Sequence, residues 1–383
     1  MTYQKVRLVD CCVIKPPKAE ARKVLAPDDA VSFVPMKSLG INKKGLVLDV
    51  TRKLADVSGS YTYFAENDVL LAKITPCFEN GKLGIATGLI NGIGFGSSEF
   101  IVFRPSENVK PEYLYYFLNQ PSFRTIGKSV MTGAVGHKRV PKEFIENTEI
   151  PLPPIPEQKR IVAILDQAFA DIDKSRANAE QNLKNARELF DSYLSQVSAD
   201  KQPLGKYVTI KTGKLNSNAS TENGAYPFFT CSRDIFSIDS YSFDCEAILL
   251  AGNNASGDFN VKHYQGKFDA YQRTYVITIN NVGHLSYTYL YYQMIKSLRQ
   301  LKNSSVGAGT KFLKIGMIEN LEISIPPLSE QEKILDVLEP LKANVERLDT
   351  NYSRKLSNLD EFKKSILQKA FSGELSKNTG VVA

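Results

Sequence analysis

One stretch of this chain occurs twice. The first copy runs from Ile145-Glu146-Asn147 through Pro153-Pro154 and Glu157-Gln158 to Ile161. The second runs from Ile318-Glu319-Asn320 through Pro326-Pro327 and Glu330-Gln331 to Ile334, 173 residues later. A long helical pattern follows each copy. An internal repeat at such a period fixes the architecture before any local reading. It divides the chain into a globular segment over 1–150, a central helix over 151–200, a second globular segment over 201–325, and a distal helix with its tail over 326–383. Two similar units in one chain can touch two similar things.

The globular segments share an outline. In the first, Asp68–Ala72 and Glu99–Phe103 are rich in β-formers and bounded by Gly, Pro and Asn, which predicts strands. Gly92–Ser98 between them is expected to be a turn-rich loop. Pro111 opens a short helix through Leu118, with proline in its first turn. In the second, Ala247–Ala251 and Thr274–Thr278 match the strands, and Tyr289-Leu290-Tyr291-Tyr292 matches Tyr113-Leu114-Tyr115-Tyr116. Gly309-Thr310-Lys311 falls opposite Gly136-His137-Lys138. The segments agree in layout and differ between these landmarks, as one scaffold with two different surfaces would.

The paired prolines disfavour helix before them, and Glu157 or Glu330 then sits in the first turn, where the helix dipole favours it. Each helix has room for about 40 residues, roughly 60 Å at 1.5 Å per residue. In the distal helix Ile334, Leu338, Leu341, Val345, Leu348, Tyr352, Leu359, Phe362 and Ile366 alternate steps of four and three, with Lys355 as a polar break. That is heptad spacing. The first seam, through Ile161, Leu165, Ala168, Ile172, Ser175, Ala179, Asn182, Ala186, Leu189 and Tyr193, is weaker in its middle. The two seams are expected to pack on each other, because much of a 60 Å helix would overhang a 150-residue domain.

Composition excludes several classes. Hydrophobic content of 43% and charged content of 23% fit a globular protein. No apolar run approaches membrane-spanning length, and the opening residues lack a signal-peptide core. Five cysteines without a C-x-x-C spacing and three scattered histidines argue against a disulfide framework and a zinc site, and for a reducing cytoplasm. The net charge of +7 lies in the globular segments, +5 over 1–150 and +4 over 201–325, against −2 and 0 in the helical ones. That surplus is compatible with phosphate binding. Pro-Pro never precedes an aromatic as Asn/Asp-Pro-Pro-aromatic. Gly127-Lys128-Ser129 lacks the earlier glycine of a P-loop, since that place holds Ser122. No H-E-x-x-H or G-x-S-x-G is present.

With its twin P-P-x-x-E-Q helices, the chain resembles the DNA-specificity (S) subunits of Type I restriction–modification systems. The stretch from Lys364-Ser365-Ile366 to Phe371-Ser372-Gly373-Glu374-Leu375 looks like the end of that family's distal conserved helix. The resemblance covers nearly the whole chain. It implies an α+β fold of two mixed α/β target-recognition domains, each followed by a long helix, the helices forming an antiparallel coiled coil. It implies a non-catalytic subunit that reads a bipartite sequence in double-stranded DNA and recruits two methyltransferase (M) subunits. S-adenosylmethionine, Mg and ATP then belong to partner subunits, with no cofactor in this chain and no membrane partner. The assembled complex would methylate adenine N6. A restriction (R) subunit would add ATP-driven cleavage, and its use stays open. The first helix departs from the pattern: Tyr193-Leu194-Ser195-Gln196 stands where the distal helix has Ile366-Leu367-Gln368-Lys369, and the Phe-Ser-Gly-Glu-Leu ending is lost.

For phosphate contacts the candidates are Lys43, Lys44, Lys73, Lys82, Lys138 and Arg139 in the first unit, and Lys211, Lys214, Lys262 and Lys311 in the second. For base edges they are Ser97, Ser98, Asn253, Asn254, Gln272 and Arg273, the residue types that base edges require. Singly, each reads equally well as a solvated loop side chain. A second function stands beside DNA recognition: a coiled-coil scaffold joining two protein partners, with incidental basic charge. Sequence-specific DNA binding separates the two.

Overall fold

The computed structural model describes residues 3–134, 136–196 and 200–376. The chain divides into two compact units, residues 1–177 with 354–383, and residues 178–353. Both long helices are therefore shared between units, whereas the linear division above keeps each whole.

The first unit holds two four-stranded sheets. One is antiparallel, in the order Cys12–Ile14, Phe100–Pro105, Val69–Ala72, Leu83–Ile85. The two strands expected from sequence are neighbours here, with Val69 opposite Phe103. The other sheet runs Thr51–Lys53, Ala30–Val34, Ile93–Gly96, Thr62–Ala65, and its Ala30–Val34 and Ile93–Gly96 strands are parallel. Ile93–Gly96 corrects the expected loop over Gly92–Ser98. Gly92, at φ +68°, is the turn. Gly94 and Gly96 are strand residues that lack side chains for want of room. A Cβ on Gly94 would meet the Phe64 ring at 2.1 Å, and one on Gly96 would meet the Val34 carbonyl at 2.5 Å.

The second unit is built on one six-stranded sheet, in the order Val208–Thr212, Thr274–Ile279, Phe243–Ala251, Val261–Ala270, Tyr226–Phe229, Phe236–Ile238. Only Tyr226–Phe229 with Val261–Ala270 is parallel. Against each core lies a tyrosine-rich helix. In the first unit it breaks into Pro111–Leu118 and Pro121–Ser129, because Pro121 holds Gln120 extended. No proline interrupts the second, and Tyr287–Ser304 continues for 18 residues, capped by the Ser286 hydroxyl, which accepts from the Tyr289 amide.

The duplicated block forms the same joint twice. Lys5–Arg7 pairs antiparallel with Glu149–Pro151, and Lys201–Pro203 with Glu322–Ser324. The Tyr113 hydroxyl donates to the Pro151 carbonyl at 2.7 Å, and Tyr289 to Ser324 at 2.9 Å. Gln158 is fully buried. Its amide donates to the carbonyls of Asn108 and Pro153, and its oxygen accepts from the Lys110 amide. Gln331 donates to His284 and Pro326 and accepts from Ser286. The repeat thus codes for the junction where a globular domain becomes a helix.

The helices span Ile155–Gln196 and Leu328–Ser372. In the first unit Ile161 and Leu165 enter the globular core together with Leu367 and Ala370 of the distal helix. Phe371 sets its ring against Tyr113 and Phe117 at 5.0 and 5.5 Å. Gly373, at φ +80°, then ends the helix, as a C′ glycine does. In the second unit Ile334, Leu338, Leu341 and Val345 share the core with Phe190 and Leu194. The helices run antiparallel within each unit. Arg176 is ion-paired to Asp360 in the first, and Arg187 to Asp349 in the second, eleven residues along each helix. Each helix so begins on a globular core and continues into a helix pair.

Two parts of the expected seams are corrected. Phe362 is 51% exposed, and the seam passes through Leu356, Leu359 and Lys363 instead. Lys363 keeps an inward position because its ammonium lies 4.2 Å from the Phe169 ring centroid. In the other helix Leu189 is 57% exposed, while Leu183 and Phe190 face inward beside the expected Asn182 and Leu189. Ile172 is buried, and Leu348 is half-buried, on the expected face.

Candidate nucleic-acid interface

In both units the central strand of the sheet runs out into a loop, and a Gly-x-Lys segment pairs with that loop. After Val69–Ala72, the Lys73 carbonyl accepts from the Val140 amide and the Thr75 amide donates to the Lys138 carbonyl, both at 2.9 Å. After Phe243–Ala251, Asn253–Asn254 pairs antiparallel with Lys311–Phe312, and the Gly252 carbonyl accepts from Leu313 at 2.8 Å. Lys138 and Lys311 therefore occupy equivalent positions. Lys138 is exposed and Lys311 half-buried.

In the first unit Lys73, Ser98 and Arg139 converge on one cleft of about 430 Å³. The Lys73 ammonium donates to the Ser98 carbonyl at 3.0 Å. Arg139 grips Glu99 with two bonds of 2.9 and 2.8 Å, and the guanidinium holds that carboxyl below its usual range. Lys15, Lys18 and Lys142 line the same cleft. Sequence reasoning missed these three. For Lys15 and Lys18 the available signal was Lys15-Pro16-Pro17-Lys18, two cations fixed on either side of a stiff dipeptide.

Ser97 lies beside the cleft lining, where its hydroxyl accepts from the Glu99 amide. Lys43 is exposed elsewhere on the unit, and the Lys82 ammonium is spent on the Met36 carbonyl. Lys44 is a correction. It is ion-paired to Asp166 and stands 4.8 Å from the Tyr116 ring centroid, so its charge ties the first helix to its own domain.

In the second unit Asn253, Arg273 and Lys311 come together around Gly252, whose amide donates to the Arg273 carbonyl at 2.8 Å. Lys302 joins them, since it and Lys311 both flank Gly257. Arg233 pairs with Asp258 on the neighbouring loop at 2.7 Å. Neither Lys302 nor Arg233 carries a sequence signal that would have singled it out. Gln272 is exposed at the turn and donates to Asn216, while Lys211 and Lys214 are exposed on and after Val208–Thr212. Two expected contacts are corrected. The Asn254 oxygen accepts from Ser256 twice and from the Asp258 amide, so it closes its own loop. Lys262 donates to the Ser232 carbonyl and to Asn260, and burial pulls its pKa down.

The family description "Type I restriction modification DNA specificity domain" matches residues 2–183 and 202–353. This chain belongs to that specificity family. It is 38% identical over 179 residues to the Type I restriction enzyme EcoAI specificity subunit of Escherichia coli, a stretch that covers 46% of this chain and 30% of that one. Against the EcoDI specificity subunit of the same species it is 36% identical over 174 residues, 45% of this chain and 38% of the relative. The chain so spans about a third of the length of these curated relatives. The StySPI specificity subunit of Salmonella potsdam is 26% identical over 314 residues, 71% of this chain and 67% of that one.

Among solved structures, the HsdS subunit from Thermoanaerobacter tengcongensis superposes with a TM-score of 0.63 at 19% identity, over 97% of each chain. A chain from a structure of the type I R-M system superposes at 0.76 with 20% identity, over 97% of this chain and 98% of that one. These likenesses establish the specificity-family fold. Among the described residues, no group of three or more His, Cys, Asp and Glu is placed to hold a metal ion, and no helix is long and apolar enough to cross a membrane.

Proposed function

We propose that this chain is the non-catalytic, sequence-specific DNA-binding subunit of a Type I restriction–modification complex. It reads a bipartite target in double-stranded DNA and recruits two methyltransferase subunits, and restriction subunits where the system has them. The observation that carries this reading is one loop platform built twice with different side chains. Lys73-Ile74-Thr75 and Arg139 stand in the first unit where Gly252-Asn253-Asn254 and Phe312 stand in the second. One scaffold with two unlike surfaces suits a target whose halves differ in sequence. S-adenosylmethionine, Mg and ATP belong to the partner subunits, and the complex works in the cytoplasm.

Single-molecule methylation mapping of the host genome tests this. A split, asymmetric motif methylated at adenine, lost on deletion of this chain, is the expected result. Unchanged methylation on deletion would sink the proposal. Calorimetry that finds a micromolar S-adenosylmethionine site on the isolated chain would refute its non-catalytic part.

A further inference from the structure

The cleft of the first unit has a chemistry that a duplex groove contact does not need. Its lining carries five cations, Lys15, Lys18, Lys73, Arg139 and Lys142, and no carboxylate. Two of the five are neutralised from outside the lining, Arg139 by Glu99 and Lys142 by Glu146. Lys18 donates to the Gly59 carbonyl, which leaves its charge uncompensated, whereas Lys73 donates to the Ser98 carbonyl and shares with Arg139 the field of the Glu99 carboxylate. Lys15 adds a second uncompensated charge. An aromatic wall faces this charge: the half-exposed Tyr61, with the buried Tyr63 and Phe100 beside it. Tyr61 is held by Phe33, the two rings near-perpendicular at 4.8 Å, with the Arg52 guanidinium 6.0 Å from its centroid.

Concave sites of a few hundred cubic ångströms enclose ligands rather than lie along convex ones. A duplex is too broad to enter 430 Å³, whereas one nucleotide is not. Stacking on an aromatic together with cations on the phosphate is how unpaired nucleotides are held.

We propose that this cleft is a binding site for a single unstacked nucleotide, its base on Tyr61 and its phosphate among Lys15, Lys18 and Lys73. The nucleotide comes either from an opened DNA strand or from free nucleoside monophosphate. The inference rests on the proposed function only for the first source. The cationic wall disfavours S-adenosylmethionine, which carries a sulfonium and no phosphate, and this makes it the negative control.

The test uses the full chain and its assembled complex. Calorimetry with AMP, CMP, GMP and TMP is expected to show binding that weakens at least tenfold in both Tyr61→Ala and Lys73→Met. Inorganic phosphate should bind more weakly and ignore Tyr61→Ala. In the second arm, target duplexes carrying 2-aminopurine at successive positions report an opened base as a rise in fluorescence. A rise that Tyr61→Ala removes assigns the site to DNA, and monophosphate binding without such a rise assigns it to free nucleotide. Absence of both signals, or signals indifferent to Tyr61→Ala and to Lys73→Met alike, overturns the proposal. If the wild-type complex binds its duplex specifically in that case, the proposed function stands. If it does not, that function fails as well.

Discussion

Gln158 and Gln331 are each sealed from solvent, and each joins the start of its helix to the backbone just before a tyrosine-rich helix. Replacing Gln158 with Ala strands the Asn108 and Pro153 carbonyls and the Lys110 amide. A buried group left unsatisfied costs about 1–3 kcal/mol. Native-state hydrogen exchange should therefore show faster exchange across Pro111–Leu118, with Thr274–Ile279 unchanged. Gln331→Ala should give the mirror result. Equal acceleration of both units by either variant would contradict a local role.

Phe371 is expected to matter to the first unit although it lies at the far end of the chain. Its ring rests on Tyr113 and Phe117. Phe371→Ala should cost about 2 kcal/mol, less than the 3–5 kcal/mol of a fully buried phenylalanine. Urea titration followed by exchange in the 1–177 region would detect it, and a loss confined to residues 178–353 would count against this packing.

The equivalent lysines can be separated from their neighbours by salt. In DNA binding by the assembled complex, Lys138→Ala and Lys311→Ala should each weaken specific and non-specific binding alike. Each should also lower the log-log salt slope by about 0.9. Lys44→Ala and Lys262→Ala should instead change stability and leave the slope alone, since both are engaged inside the fold. Identical slopes for all four variants would remove the Gly-x-Lys segments from the interface.

Separated halves should pair with themselves through their helices, and not equally well. Residues 201–383 present Val345, Leu348 and Tyr352 where residues 1–200 present Ile172, Ser175 and Ala179. At about 0.8 kcal/mol per buried CH₂, the second half should be the tighter dimer. Such a dimer would be truly two-fold, so its target should become an interrupted palindrome. Sedimentation equilibrium on both fragments decides it, and a tighter first half would refute the seam comparison.

The features legible in the sequence are those that it states twice. The joint around Gln158 and Gln331, the strands at Val69–Ala72 and Thr274–Ile279, and the helix from Pro111 follow from repeated residues or local propensity. The strand Ile93–Gly96 did not, because its glycines answer to Phe64 and Val34, which only the folded chain brings near. The seam slipped near Lys355 because a three-then-four step and a four-then-three step fit equally well there. Apolarity favoured Phe362, while packing chose Lys363 with Phe169 beneath it. The cleft as a whole was invisible for a similar reason: Lys73 is a candidate singly, but it meets Lys15 and Lys142, far apart in sequence, only across the fold.

The nesting of one unit within the other in chain order has a consequence for biosynthesis. Residues 178–353 are contiguous and are all synthesised before Leu367, Ala370 and Phe371, which complete the core of the first unit. Domains generally fold as units as the chain emerges. Here the unit begun first is finished last, and it waits with an open core while the other closes. A ribosome stalled late, or a protease trimming the last two turns of the distal helix, would therefore damage the unit built mainly from residues 1–177, synthesised long before the cut.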